Sequence, residues 1–164
     1  MMSGKEVQVC LGLGSNINPE TNIPGAIELL GQILILESIS RAWYTPPVGT
    51  SGPNFVNAAL LTNTDLTPKN FKKEIIRPIE ARLGRIRSQN KNAPRPIDID
   101  VLIWDQKILE PLIWEEAYLA VPVAELLPDL KYQDCEANLK HTAQRLASTS
   151  NIVPRPDILP EYQQ

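Results

Sequence analysis

The chain has 164 residues, with 16 Lys and Arg against 19 Asp and Glu, a formal net charge of −3 and a pI near 5.2. It fits one domain with a sizeable core, and no extended basic surface for nucleic acid is expected. Cys10 and Cys135 are too few for a disulfide framework or thiolate zinc site, His141 alone makes no clustered-His centre, and no membrane-length apolar run or signal peptide is present. We expect a cytoplasmic chain with free thiols, a single domain over residues 1–150 and a loosely packed, extended Pro-rich tail over 151–164.

Val7, Val9, Leu11 and Leu13 alternate with Gln8, Cys10, Gly12 and Gly14, predicting a first strand that runs into a tight turn at Gly14-Ser15-Asn16. Ile23, Ala26, Ile27 and Leu30 recur at helical spacing, with Pro24 near the start and Gly31 just past the end. Residues 36–44 form a second strand candidate, and the Pro- and Gly-rich segment 45–53 is a surface connection. The next strand, 54–62, places Phe55, Asn57, Ala59 and Leu61 on one face. An aromatic ring beside a carboxamide suits a flat heteroaromatic ligand. Equally, Phe55 can be core and Asn57 can cap a loop.

Thr67-Pro68 starts a helix that buries Phe71, Ile75, Ile79 and Leu83, with Gly84 as its stop and Pro78 as an internal kink or break. Asp105-Gln106 turns into a short partner strand, 107–109. Residues 113–118 resist assignment, 121–127 predict a brief helix closed by Pro128, and a helix over 137–147 carries His141 on a solvated face. The first strands are joined through the Pro-rich loop and not through a helix long enough for a crossover. A layered α/β domain with a mainly antiparallel sheet is therefore expected.

The segment that carries most chemistry is Ala93-Pro94-Arg95-Pro96-Ile97-Asp98-Ile99-Asp100-Val101-Leu102-Ile103-Trp104. On a strand, Asp98 and Asp100 share a face, roughly 7 Å apart at Cα, while Ile97, Ile99, Val101 and Ile103 take the other. Between Glu80 and Asp98 there is no acidic residue, but Arg82, Arg85, Arg87, Lys91 and Arg95 all occur. A carboxylate pair behind a basic loop suits a polyphosphate bridged by magnesium, though solvated carboxylates on a half-exposed strand would read the same way. Pro94 and Pro96 stiffen the approach and hold Arg95 beside the pair.

Leu13-Gly14-Ser15-Asn16, Tyr44-Thr45-Pro46-Pro47-Val48-Gly49, Phe55-Val56-Asn57-Ala58-Ala59, Glu80 with Gly84-Arg85-Ile86-Arg87, and Pro94-Arg95-Pro96-Ile97-Asp98-Ile99-Asp100 occur in this order. Over roughly residues 6–147 the chain so resembles the 6-hydroxymethyl-7,8-dihydropterin pyrophosphokinase family of the folate pathway. The resemblance implies a ferredoxin-like three-layer α/β/α sandwich and transfer of pyrophosphate from ATP to the pterin hydroxymethyl group, releasing AMP. It implies Asp98 and Asp100 as ligands of two Mg²⁺ ions, and Arg85 and Arg95 acting on the transferring group. It also implies Glu80, Arg87 and Val101 as ATP-binding positions, and Thr45, Pro46, Val48, Phe55, Asn57 and Tyr118 as the pterin pocket, with Phe55 and Tyr118 sandwiching the ring. The expected partners are a small-molecule pterin and ATP, with no nucleic acid, no membrane and a monomeric chain.

Two departures stand out. The segment before Tyr118 reads Glu110-Pro111-Leu112-Ile113-Trp114-Glu115-Glu116, where the family usually carries a histidine, a tyrosine and an arginine that serve ATP. Asn92-Ala93-Pro94 stands where Trp-Gly-Pro is common, and Ser88 where a basic residue often sits. Alternatives to the kinase reading are therefore a noncatalytic pterin- or nucleotide-binding homologue, or transfer to a different heterocyclic acceptor.

Overall fold

The computed structural model describes residues 4–45, 54–86, 93–132 and 136–160. Its strands are β1 (Val7–Ser15), β2 (Leu36–Ile39), β3 (Trp43–Thr45), β4 (Phe55–Thr64), β5 (Asp98–Trp104), β6 (Lys107–Ile108) and β7 (Val153–Pro154). They form one sheet in the order β6-β5-β1-β4-β3-β7, with β2 also paired to β4, and every pairing is antiparallel. The helices are α1 (Pro19–Ile33), α2 (Pro68–Phe71), α3 (Arg77–Arg82), α4 (Ala117–Leu126) and α5 (Leu139–Ser148).

Alternation along the central strands sends apolar side chains to both faces, so each face needs a helical layer. Leu11, Leu13, Val56 and Leu60 point to the α1 side, where Ile23, Leu30, Phe71 and Ile76 meet them. Cys10, Ala59, Leu61 and Leu102 point the opposite way and pack with Ala120, Val123, Leu139 and Ala143 of α4 and α5. The result is the expected three-layer α/β/α sandwich with an antiparallel sheet. No described helix is long and apolar enough to cross a membrane.

Helix α1 starts with Pro19 in its first turn and runs through Gly31 to Ile33, longer at both ends than the pattern predicts. The expected second strand divides in two. At the break, Ser40 N–H donates to the Ala59 carbonyl (2.9 Å) and Ser40 Oγ accepts from Ala59 N–H (2.8 Å), so a side chain replaces part of the ladder.

Thr67 caps α2 as expected, its Oγ1 accepting from Asn70 N–H, and Gly84 ends α3 at φ +94°, the left-handed conformation that favours glycine. The interruption by Pro78 takes the form of a π-helical turn, Lys72–Ile76, after which Pro78 sits in the first turn of α3, where a missing N–H costs little.

Asp105 and Gln106, at φ 48° and 70°, close a two-residue hairpin between β5 and β6. The predicted short helix at 121–127 begins earlier, at Ala117, because Ala120, Val121 and Val123 are buried together against the sheet. A 3₁₀ turn, Pro111–Trp114, precedes it.

Two expectations are corrected. Ile103 does not share a face with Ile97 and Ile99. The β1–β5 register shifts between Cys10 and Leu11, so Leu102 is the extra residue of a bulge and Ile103 joins the α4/α5 side. The described part of the tail, 151–160, is extended only at Val153–Pro154, turns over 155–159 and is not loosely packed. Val153 and Pro154 pair with Tyr44 and Trp43, Arg155 N–H donates to the Ala42 carbonyl, and Ile158 and Leu159 are buried in the α1-side core. Pro154 is tolerated because β7 lies at the sheet edge.

Candidate active site

Strand register brings the two halves of the site together. Asp98 pairs with Gly14 on β1, Gly14 with Asn57 on β4, and Asn57 with Trp43 on β3. The next row is Asp100, Gly12 and Ala59. Residues in one row share a face. Asp98 and Asp100 are therefore separated from Asn57 by a strip floored by two glycines. A Cβ at Gly14 would lie 3.0 Å from Asn57 Oδ1, and one at Gly12 would lie 3.0 Å from Leu102 Cδ1. At either position an added Cβ would make the neighbouring side chain give way by a few tenths of an ångström.

At the acidic end, Asp98 is gripped by two guanidiniums. Arg85 Nη1 donates to Asp98 Oδ1 (2.7 Å) and Arg95 Nη1 to Asp98 Oδ2 (2.9 Å). Arg85 Nη1 also donates to Glu80 Oε2, the oxygen that accepts from the Ile99 backbone N–H at 3.0 Å. Buried Glu80 thus ties α3 to β5 and orients Arg85. Burial alone would lower the Arg85 pKa, but Asp98 and Glu80 together hold it above its ordinary value.

Arg95 is fixed from a second direction. Its backbone N–H donates to Asn16 Oδ1 (2.5 Å), and Asn16 N–H donates to the Arg95 carbonyl (3.0 Å). The stiff Pro-Arg-Pro entry is thereby pinned to the end of β1.

Asp100 is solvent-exposed along part of its side chain, but the protein crowds its carboxyl. Burial first, then the charges of Asp98 and Glu80, push its pKa up to about 6, with Arg85 and Arg95 opposing them. The two carboxylates repel each other, and the two guanidiniums offset only part of that repulsion. Among the described residues no group of three or more His, Cys, Asp or Glu gathers, so a metal here would take its other ligands from substrate and water.

At the other end, Asn57 Nδ2 donates to Thr45 Oγ1 at 3.0 Å, which leaves Asn57 Oδ1 over Gly14. The amide therefore braces β3 rather than capping a loop. Phe55 is half-buried and belongs to neither core cluster. Thr45 and Tyr118 line one hollow together with Glu115, Glu116, Ala117 and Leu146. Burial raises the Tyr118 pKa, with Glu116, Glu110, Asp100 and Asp98 adding to it.

The acidic substitutions before Tyr118 divide accordingly: Glu115 is exposed, whereas Glu116 is half-buried. Val101 is half-buried and packs against the α1-side core. Pro46, Val48 and Arg87 lie outside the described residues.

The structure adds three residues that sequence reasoning left unassigned to the site. Gly12 and Gly14 clear the floor, and their signal was the paired glycines alternating within an apolar strand. Asn16 pins Arg95, and no local pattern reveals a contact across 79 positions. His141 is exposed on α5, as expected.

The family described as 7,8-dihydro-6-hydroxymethylpterin-pyrophosphokinase matches residues 10–128. A 2-amino-4-hydroxy-6-hydroxymethyldihydropteridine pyrophosphokinase of Methylorubrum extorquens is 39% identical over 132 residues, covering 73% of this chain and 82% of that protein. A folate synthesis bifunctional protein of Arabidopsis thaliana is 31% identical, and the match covers 73% of this chain but only 27% of the plant protein. The crystal structure of wild-type Plasmodium falciparum HPPK-DHPS has a TM-score of 0.70 at 11% identity, covering 90% of this chain and 46% of that one, a likeness of fold. The chain thus belongs to the 7,8-dihydro-6-hydroxymethylpterin-pyrophosphokinase family.

Proposed function

We propose that Asp98, Asp100, Arg85 and Arg95 carry out the reaction for which the family is named, pyrophosphate transfer to 6-hydroxymethyl-7,8-dihydropterin, with ATP as donor and AMP as the second product. The observation that carries this reading is the pair of rows across the sheet. They set Asp98, held by two guanidiniums, and its neighbour Asp100 on one side of a glycine floor and a carboxamide braced by Thr45 on the other.

Asp98 and Asp100 would hold two Mg²⁺ ions, and the donor set fits: hard oxygen ligands on one face, with the remaining positions open to phosphate oxygens and water. Held by Asp98 and Asp100, such ions would supply charge neutralisation for a triphosphate. Arg85 and Arg95 rest on Asp98 and can turn to phosphate oxygens when these enter, meeting charge that grows during in-line attack by the pterin hydroxyl. Glu80 and Asn16 keep both guanidiniums on station. No protein nucleophile is needed, so positioning and electrostatics carry the step.

Phe55 and Tyr118 would hold the pterin faces, and Asn57, with Thr45 behind it, would read the ring edge. Pro46 and Val48 complete that pocket in this reading, while Glu80, Arg87 and Val101 border the nucleotide.

A noncatalytic pterin-binding chain is the second reading, favoured by one observation. Burial raises the Tyr118 pKa, and Glu116 and Glu110 raise it further, where the family usually carries cationic groups. Incubation with ATP, Mg²⁺ and 6-hydroxymethyl-7,8-dihydropterin separates the two: AMP and pterin pyrophosphate form if the chain is a kinase. Pterin binding without AMP overturns that and leaves a binding protein.

A further inference from the structure

We propose that Glu125 is a positioning residue for the pterin slot, acting through Trp43 and Arg41 to set the spacing between α4 and β3; the inference rests on the pterin reading above. One Glu125 oxygen accepts from Trp43 Nε1 at 2.5 Å and the other from Arg41 Nε at 3.1 Å. The Arg41 guanidinium also lies over the Trp43 ring, 4.7 Å from its centroid. The Glu125 side chain is 19% exposed, so the pair is partly shielded from water. A charge-assisted bond in that setting is stronger than a neutral one and more directional.

Placement gives this cluster its consequence. Glu125 follows Tyr118 by seven positions on α4, roughly two turns, so both side chains project from one face of the helix. Trp43 and Thr45 alternate on β3 and likewise share a face. The α4/β3 junction is thus closed at one end and open at the other. At the closed end the Glu125–Trp43–Arg41 clamp joins it. At the open end Thr45 and Tyr118 border a hollow whose remaining wall includes Leu146, Thr149 and Ile152 on the α5 side.

Trp43 also pairs in register with Asn57 on β4, so the clamp touches the strand position that lies beside the carboxamide. Fixing one end of a rigid helix against a strand fixes the gap at the other end. Loosening the clamp should therefore let Tyr118 drift from Thr45 and Asn57 while the Asp98 region stays intact.

The test uses the full chain and 6-hydroxymethyl-7,8-dihydropterin as the probe, well below each variant's Tm. E125A and W43F should each raise the pterin Kd about tenfold or more, the loss expected when a partly shielded charge-assisted hydrogen bond is removed. The pterin KM should follow, while kcat at saturating pterin stays within about threefold, the pattern of lost substrate positioning. E125Q, which keeps an acceptor for the indole, should fall between. The double variant E125A/W43F should bind no more weakly than the poorer single, because both changes break one contact.

A folded E125A or W43F with pterin Kd within about twofold of the parent overturns the proposal, since a merely structural contact lowers Tm without moving Kd. If E125A does not fold, W43F, which keeps an aromatic ring and removes the donor, decides by the same criterion. Failure of the parent chain to bind the pterin would remove the functional reading and the clamp with it. Binding by the parent and equally by both variants would remove the clamp alone.

Discussion

The acidic end and the carboxamide end of the candidate site are built by opposite strategies. Around Asp98 the contacts are charged and largely local: Glu80, Arg85, Arg95 and Asp98 fall within one stretch of chain and are joined by short ion pairs. Around Asn57 the slot is a junction between β3, β4 and α4, held by a neutral hydrogen bond to Thr45 and by the distant Glu125 clamp. In the proposed reading local charge would give a rigid station for a triphosphate, whereas a long-range junction can vary its width. Chemistry should therefore fail sharply when the first end is cut, and affinity should fail gradually when the second is altered.

The largest effect is expected from D98A, which removes one carboxylate and the anchor of both guanidiniums. AMP release should drop by at least ~10³-fold, the scale of losing preorganised charge stabilisation together with a metal ligand. Pterin affinity by fluorescence titration should stay within about twofold, because Gly14 separates Asp98 from Asn57 in the row they share. Undiminished AMP release would take Asp98 out of the metal site.

R85A comes next, with an expected kcat loss of about 10²-fold and little change in pterin KM. Arg85 is the less exposed of the two guanidiniums, at 14% against 29% for Arg95, and bonds both Glu80 and Asp98. Removing it also leaves Glu80 buried with only part of its partnership, so Tm should fall as well. An R85A chain that is as fast and as stable as the parent would deny Arg85 both roles.

G14A tests the other end. The added Cβ would stand 3.0 Å from Asn57 Oδ1 and 3.7 Å from Phe55 Cδ1, so the carboxamide must shift to make room. The pterin Kd should rise about tenfold, the effect of displacing one well-placed polar contact, with ATP KM nearly unchanged. Equal loss for both substrates would mean that the glycine floor serves the whole sheet and not the slot.

The contrast also explains what the sequence made legible. Asp98 and Asp100 on one face follow from strand alternation, and the basic run that feeds them is adjacent in sequence, so the acidic end could be read locally. Gly84 at positive φ and the Asp105-Gln106 hairpin are local geometry too. The bulge at Leu102 was hidden because it depends on where β1 lies, and it moved Ile103 to the opposite face.

The tail misled for a related reason: its prolines read as loose chain, but Ile158 and Leu159 find space in a core formed by residues far upstream. Glu125 meets its partners across 84 and 82 positions, and no pattern in the segment announces them. Phe55 stayed ambiguous because an aromatic on a strand looks the same facing core or cleft. Burial and cluster membership, which exist only after folding, separated the two.

The smallest expected effect is on stability and concerns Asp100, and its sign is informative. A carboxyl raised from 3.8 to about 6 in the folded chain binds more protons there than when unfolded. Stability of the metal-free protein must therefore fall as pH rises from about 4 to about 6 and level off above, because the slope follows unfolded minus folded protons. The cost above pH 6 should be under ~1 kcal/mol, since the exposed side chain is screened by water and salt. D100N should flatten this part of the Tm profile and raise Tm slightly at pH 7, while lowering AMP release with D98A. Mg²⁺ should stabilise the parent above pH 6 and do little for D100N. A substitution that stabilises the fold while stopping transfer would show that the acidic end is kept under charge strain for a cation. A D100N profile parallel to the parent's would place the repulsion elsewhere.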